Sequence, residues 1–184
     1  GQIGIETAIR AKSLGMKTYG LNRTQKKNIP KYLDWHGSSN ELDFILKESD
    51  FLVLACDLNN STKGLINKRT LSVMKKTSYI INVARGDICV EEDLFNSLKN
   101  KNIAGAAIDT WWIYPDRPKE GGKPEKAPRP SDYPFHKLDN VIMTPHNSAH
   151  TLEADLRRSK SILDNLLDFK KGKKPSGFVF YGNK

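Results

Sequence analysis

Cysteine, long apolar runs, aromatic residues and acid are all scarce in this sequence. Its 184 residues include two cysteines, Cys56 and Cys89. They lack the C-x-x-C spacing of a zinc site or a thiol redox motif, and two are too few for a disulfide framework. No metal is expected, and a reducing compartment, the cytoplasm, fits such a thiol-poor chain. No run approaches the roughly 20 apolar residues that a bilayer crossing needs. No charged and apolar leader opens the chain. Membrane partners are therefore not expected. An initiating methionine is also missing, and Gly1 stands inside a motif, so the chain reads as a piece of a longer protein.

Acid is outnumbered: 21 Asp and Glu against 30 Lys and Arg, a formal net charge of +9. Such a balance attracts polyanions in general. The basic pairs are scattered, however, at Lys26 and Lys27, Lys75 and Lys76, Lys170 and Lys171, and Lys173 and Lys174. Three Trp and six Tyr do not alternate with them. The reading is a solvated, lysine-rich surface without nucleic-acid binding.

Enough apolar residue is present, 38%, for one ordinary domain with a core. Residues 3–14 carry helical spacing, with Gly15 as the stop. Residues 17–21 are a short extended run, and 22–39 are polar and turn-rich. Residues 41–47 are helical, with Asn40 as the cap. Continuous apolar runs at 51–55 and 79–83 resemble parallel strands buried on both faces. Residues 68–74 form a short helix and 91–99 a longer one with acids in its first turn. Strands are expected at 103–108 and 141–144, separated by a proline-rich loop over 113–139. Thr151 caps a last amphipathic helix, and the tail from Gly172 is basic. Helices alternating with short strands predict an α/β fold, a doubly wound parallel sheet.

Gly1-Gln2-Ile3-Gly4 opens directly into the first helix. Glycines at a helix start allow a pyrophosphate to approach free N–H groups. Two capping glycines would look the same. At the end of the second strand of such a fold, about 20 residues on, an acid usually meets the adenosine ribose. Here the text is Asn22-Arg23-Thr24. With no carboxylate to repel a 2′-phosphate, and Arg23 and Thr24 able to donate to one, NADP is favoured over NAD.

The text from Ile80 to Trp112, with Val83-Ala84-Arg85-Gly86 and Ala107-Ile108-Asp109, closely resembles D-2-hydroxyacid dehydrogenases. The resemblance extends from the Gly1 loop through residues 60–66 to Thr144-Pro145-His146 and the tail. It implies a Rossmann-like NAD(P)-binding domain over residues 1–150, starting within its glycine-rich loop and so lacking its first strand. Residues 151–184 would be a C-terminal helix and tail returning to a substrate domain. It implies hydride transfer between NAD(P)H and a small 2-oxo or 2-hydroxy acid, as in glyoxylate/hydroxypyruvate reductases and phosphoglycerate dehydrogenases. Arg85 matches the arginine that grips the substrate's carboxylate and carbonyl. His146 matches the acid/base, and Asp109 the aspartate that meets the nicotinamide carboxamide. Cys56, Thr62, Val83 and Ala84 match positions lining the nicotinamide and its ribose. A homodimer is the usual assembly of such relatives.

One departure is chemical. The family usually places a glutamate five residues after the aspartate, paired with the histidine; here that residue is Tyr114. A phenol can accept a hydrogen bond from imidazole but brings no charge near neutrality. Asp116 is near enough in sequence to substitute, and Asp57 stands where many relatives have proline. Formate dehydrogenases also lack the glutamate, so a formate dehydrogenase-like enzyme stays open. So do a nucleotide-sensing binding protein and an inactive piece. Without a first strand, residues 1–184 alone are expected to fold poorly or to be inactive.

Overall fold

Every strand pairs in parallel in the computed structural model, which describes residues 1–23, 28–114 and 129–176. The chain forms two units, Gly1–His146 and Asn147–Lys184. In the first, helix α1 (Gln2–Ser13) leads into strand β1 (Tyr19–Asn22), which pairs with β2 (Trp35–Ser38). Helix α2 (Leu42–Glu48) then leads to β3 (Phe51–Leu54), α3 (Lys68–Ser72) to β4 (Tyr79–Asn82), and α4 (Glu91–Lys99) to β5 (Gly105–Ile108). Strand β6 (Val141–Met143) closes the unit. Strands β3, β4, β5 and β6 form one sheet in that order, and β1 with β2 a second. Among the described residues no strand joins the two sheets.

The apolar runs supply the core for the reason the sequence suggests. Leu52, Leu54, Ile80, Ala106 and Ile108 are buried from the strands, and Leu71, Leu94 and Leu98 from the helices. Burial of each large aliphatic side chain contributes roughly 1.5–3 kcal/mol. The two-faced burial expected for β3 and β4 is corrected, because Phe51 and Tyr79 are exposed and stack on each other at a 5.6 Å ring separation. Strand β2 was not anticipated within the polar stretch 22–39. The cap of the next helix also differs: Asn40 lies in a one-turn 3-10 helix. There Ser38 and Glu41 form a capping box, with the Ser38 N–H donating to Glu41 Oε2 at 2.7 Å.

The second unit is dominated by α5 (Leu152–Lys170). Thr151 caps it as the sequence predicts, its Oγ1 accepting from the Ala154 N–H at 3.1 Å. None of the residues of α5 is buried.

Candidate active site

Register decides where the candidate residues fall. Leu54 pairs with Asn82, Asn82 with Ile108, and Ile108 with Met143. These four residues end their strands, so the carboxyl ends of β3 to β6 lie side by side on one edge. That edge is where open parallel sheets bind ligands. Cys56 follows β3, Val83-Ala84-Arg85 follows β4, Asp109 follows β5 and His146 follows β6.

The start of α1 adjoins this edge. A Cβ placed on Gly4 would sit 3.7 Å from the Ala55 Cβ, and one on Gly1 would be 4.0 Å from the Ala55 carbonyl oxygen. No side chain caps the first turn, and no acid lies in it. The residues Gly1, Gln2, Ile3 and Gly4 therefore fit a dinucleotide pyrophosphate: close backbone approach and a helix N-terminus without competing negative charge. Asn22 and Arg23 follow at the end of β1, both exposed. Thr24 lies outside the described residues, as do Asp116 and most of the proline-rich loop.

Beyond β3, Thr62 organises its own loop. Its hydroxyl donates to the Asp57 carbonyl at 2.6 Å and accepts from the Asn59 N–H at 2.9 Å. Cys56 is exposed, yet partial desolvation by the surrounding chain pushes its thiol up, with Asp57 adding to the effect. Complete burial pushes the Cys89 thiol up to about 12, so it packs as a small apolar group.

The turn after β4 is built on Asn82, which sequence reading left as one letter of a strand. Its Nδ2 donates to the Arg85 carbonyl at 2.9 Å. Its Oδ1 accepts from the Ala84 N–H at 3.1 Å and from Thr110 Oγ1 at 3.2 Å. A buried amide thus carries both the Arg85 turn and the start of the segment after β5. Arg85 itself is exposed. Its Nη1 donates to the Ala84 carbonyl at 2.6 Å.

Asp109 is buried and accepts from Thr144 Oγ1 at 2.5 Å. Two residues beyond Thr144, His146 adopts a left-handed φ of 54°, a conformation that few non-glycine residues take. Its imidazole meets the ring of Tyr114 at a centroid distance of 5.4 Å, tilted by 55°. A phenol can accept from imidazole, but that is not the contact made here. Tyr114 Oη instead accepts from the Trp111 N–H at 3.0 Å, so the tyrosine meets the histidine ring to ring.

Comparison with known proteins agrees with this geometry. Residues 1–148 match the family described as the D-isomer specific 2-hydroxyacid dehydrogenase, NAD binding domain. Glyoxylate reductases of Pyrococcus horikoshii and Thermofilum pendens are 35% and 33% identical over 179 residues, which is 97% of this chain and 49% of theirs. The chain thus spans about half the length of these relatives. Among solved structures, a D-isomer specific 2-hydroxyacid dehydrogenase from Lactobacillus delbrueckii ssp. bulgaricus in its NAD-complexed form superposes with a TM-score of 0.79. It is 28% identical, with 98% of this chain and 53% of that one covered. An acyclic imino acid reductase in complex with NADPH and D-Arg gives a TM-score of 0.78 at 27% identity, covering 98% and 51%. The chain belongs to the D-isomer specific 2-hydroxyacid dehydrogenase family and carries its NAD-binding domain.

Proposed function

We propose that this domain serves an oxidoreductase that moves a hydride between NADP(H) and a small 2-oxo or 2-hydroxy acid. The observation that carries the reading is the alignment of Arg85, Asp109 and His146 behind three consecutive parallel strands. The nicotinamide, when bound, supplies the hydride to the substrate's C2. The chain's own residues do the rest. Arg85 holds the carboxylate and the carbonyl oxygen with its planar fork, and its fixed charge stabilises the alkoxide that develops there. His146 delivers a proton to that oxygen during reduction and takes it back during oxidation. Tyr114 stands beside the imidazole without adding charge. Residues Gly1, Gln2, Ile3 and Gly4 receive the pyrophosphate. Cys56, Thr62, Val83, Ala84 and Asp109 surround the nicotinamide end.

The preference for NADP rests on Asn22 and Arg23 at the end of β1, with Thr24 next in sequence. The NADPH held by the imino acid reductase relative supports it. The NAD of the Lactobacillus relative is the alternative. Residues 1–150 are the cofactor half, and 151–184 return toward the substrate half. A homodimer and a cytoplasmic setting complete the reading. No described helix is long and apolar enough to cross a membrane.

The test is NADPH and NADH fluorescence titration of the chain, followed by oxidation assays with glyoxylate and hydroxypyruvate once it is joined to a relative's substrate domain. NADPH is expected to bind tighter, and Arg23→Asp to reverse the order. Replacing His146 with Gln is expected to lower kcat by about 10²–10⁴-fold while cofactor binding persists. Tight cofactor binding with no turnover on either acid would favour a nucleotide sensor instead.

A further inference from the structure

We infer that Trp111 is a positioning residue that ties the supports of Arg85, Tyr114 and His146 into one rigid unit. The inference rests on the roles proposed above for those three residues, but its contacts stand independently of them. Trp111 is buried, 6% exposed, in the segment that follows β5. Its indole Nε1–H donates to the Thr144 carbonyl at 2.9 Å. Its backbone N–H donates to Tyr114 Oη at 3.0 Å. Its carbonyl lies against Gly86, where an added Cβ would stand 2.4 Å from the Trp111 oxygen. One residue thus touches the neighbour of Arg85, the hydroxyl of Tyr114 and the residue two before His146.

The left-handed backbone at His146 gives these contacts a purpose. Such a conformation is strained and persists only where its surroundings over-determine it. Thr144 is held at three points. Its N–H donates to the Ile108 carbonyl at 3.0 Å, its hydroxyl to Asp109, and its carbonyl accepts from the Trp111 indole. All three anchors come from β5 and the segment after it. The indole bond is the one that also reaches Tyr114 and Gly86 through the same residue. When it is removed, the imidazole no longer has a fixed place against the Tyr114 ring.

Packing and positioning separate cleanly here, because Trp112 offers a matched control. Its ring stacks on Phe135 at 5.4 Å, and its Nε1–H donates to the Cys89 carbonyl at 2.9 Å. Trp111 meets the same Phe135 edge-on at 6.2 Å. Both tryptophans belong to one aromatic cluster, but only Trp111 reaches Thr144. Trp111→Phe and Trp112→Phe each delete one indole hydrogen bond and keep a ring in the cluster.

The experiment measures ring-to-ring nuclear Overhauser contact between His146 and Tyr114, and thermal melting, in the full chain and both variants. The expected result is a similar small drop in melting temperature for both. The His146–Tyr114 contact is lost in Trp111→Phe and kept in Trp112→Phe. Contact of wild-type strength in Trp111→Phe, or equal loss in both variants, overturns the inference. If Trp111→Phe does not fold, hydrogen exchange of the wild-type Trp111 indole decides. Protection at least tenfold beyond an exposed indole supports the clamp, and free exchange overturns it. NADPH titration of the same samples keeps the two readings apart. A chain that keeps the clamp but binds no cofactor sinks the proposed function and leaves Trp111 in its place.

Discussion

Two residues apart in one turn, Arg85 and Asp87 are exposed while Gly86 between them is enclosed. Its missing side chain is what allows the segment after β5 to close on the segment after β4. A Cβ at Gly86 would meet Trp111 O at 2.4 Å, Trp111 C at 2.5 Å and Trp112 N at 2.8 Å, all of them backbone atoms. Backbone cannot swing aside as a side-chain tip does. Gly86→Ala is therefore expected to cost roughly 1–3 kcal/mol as an overpacked site. It should lower the melting temperature by about 2–12 °C, since each kcal/mol shifts a domain of this size by about 2–4 °C. Differential scanning calorimetry checks it, and an unchanged Tm would mean that the two segments are free to part. Residues of this kind were only half legible in the sequence. Arg85 and His146 stand in a recognisable order and spacing. Asn82, Gly86 and Trp111 work through partners 24 to 33 positions away in some cases and within a few positions in others, and those partnerships exist only once the register of β4, β5 and β6 is set.

At the scale of elements, the helices were the easiest to read. Helix α4 begins at Glu91 and ends at Lys99 as its pattern predicts, because Leu94, Phe95 and Leu98 mark one buried face. Strand β2 left no such mark. Trp-His-Gly-Ser neither alternates apolar with polar nor forms an apolar run, and its identity comes from pairing with β1. What delivers it there is Asp34, just before the strand. Its Oδ1 accepts from Lys12 Nζ of α1 at 2.8 Å, and its Oδ2 from the Thr18 N–H at 2.8 Å. The Lys12 hydrogen bond first, then the Thr18 amide, hold the Asp34 carboxyl down from 3.8 to about 2. A carboxyl lowered on folding stabilises the fold above its unfolded pKa, and the gain is lost as pH falls through the folded value. Asp34→Asn should thus melt below wild type at pH 6, and the difference should narrow between pH 4 and pH 2. A gap that stays constant over that range would assign the effect to shape and not to charge. The pair is exposed, so salt should also shrink the gap.

Across the whole molecule, order is distributed unevenly, and the sheet division says where. Strands β4 and β5 each have a hydrogen-bonded neighbour on both sides, while among the described residues β1 and β2 pair only with each other. A two-stranded sheet is marginal in water without further packing. The packing here is partial: Tyr19, Leu21 and Trp35 are only partly buried against the core that encloses Ile80 and Ile108. Helix α5 buries none of its residues, and α1 only partly buries a few such as Ile5, Ala8 and Ala11; a helix with so little tertiary burial has little beyond its own propensity to hold it. Local opening free energies should follow that order. In native-state hydrogen exchange, the amides of β4 and β5 are expected to exchange slowest and to set the global stability. Those of β1 and β2 should exchange at least tenfold faster, and those of α1 and α5 faster still. Ligand linkage then makes a sharper demand. A cofactor seated at the start of α1 and the end of β1 should slow exchange by a similar factor in β1 and in β4, because local opening of the pair and global unfolding both release it, and binding to a folded form stabilises whatever must open to release it. Uniform protection without NADPH would show one cooperative sheet in place of a firm four-stranded half and a looser pair, and exchange at β1 left unslowed by NADPH would place the cofactor elsewhere.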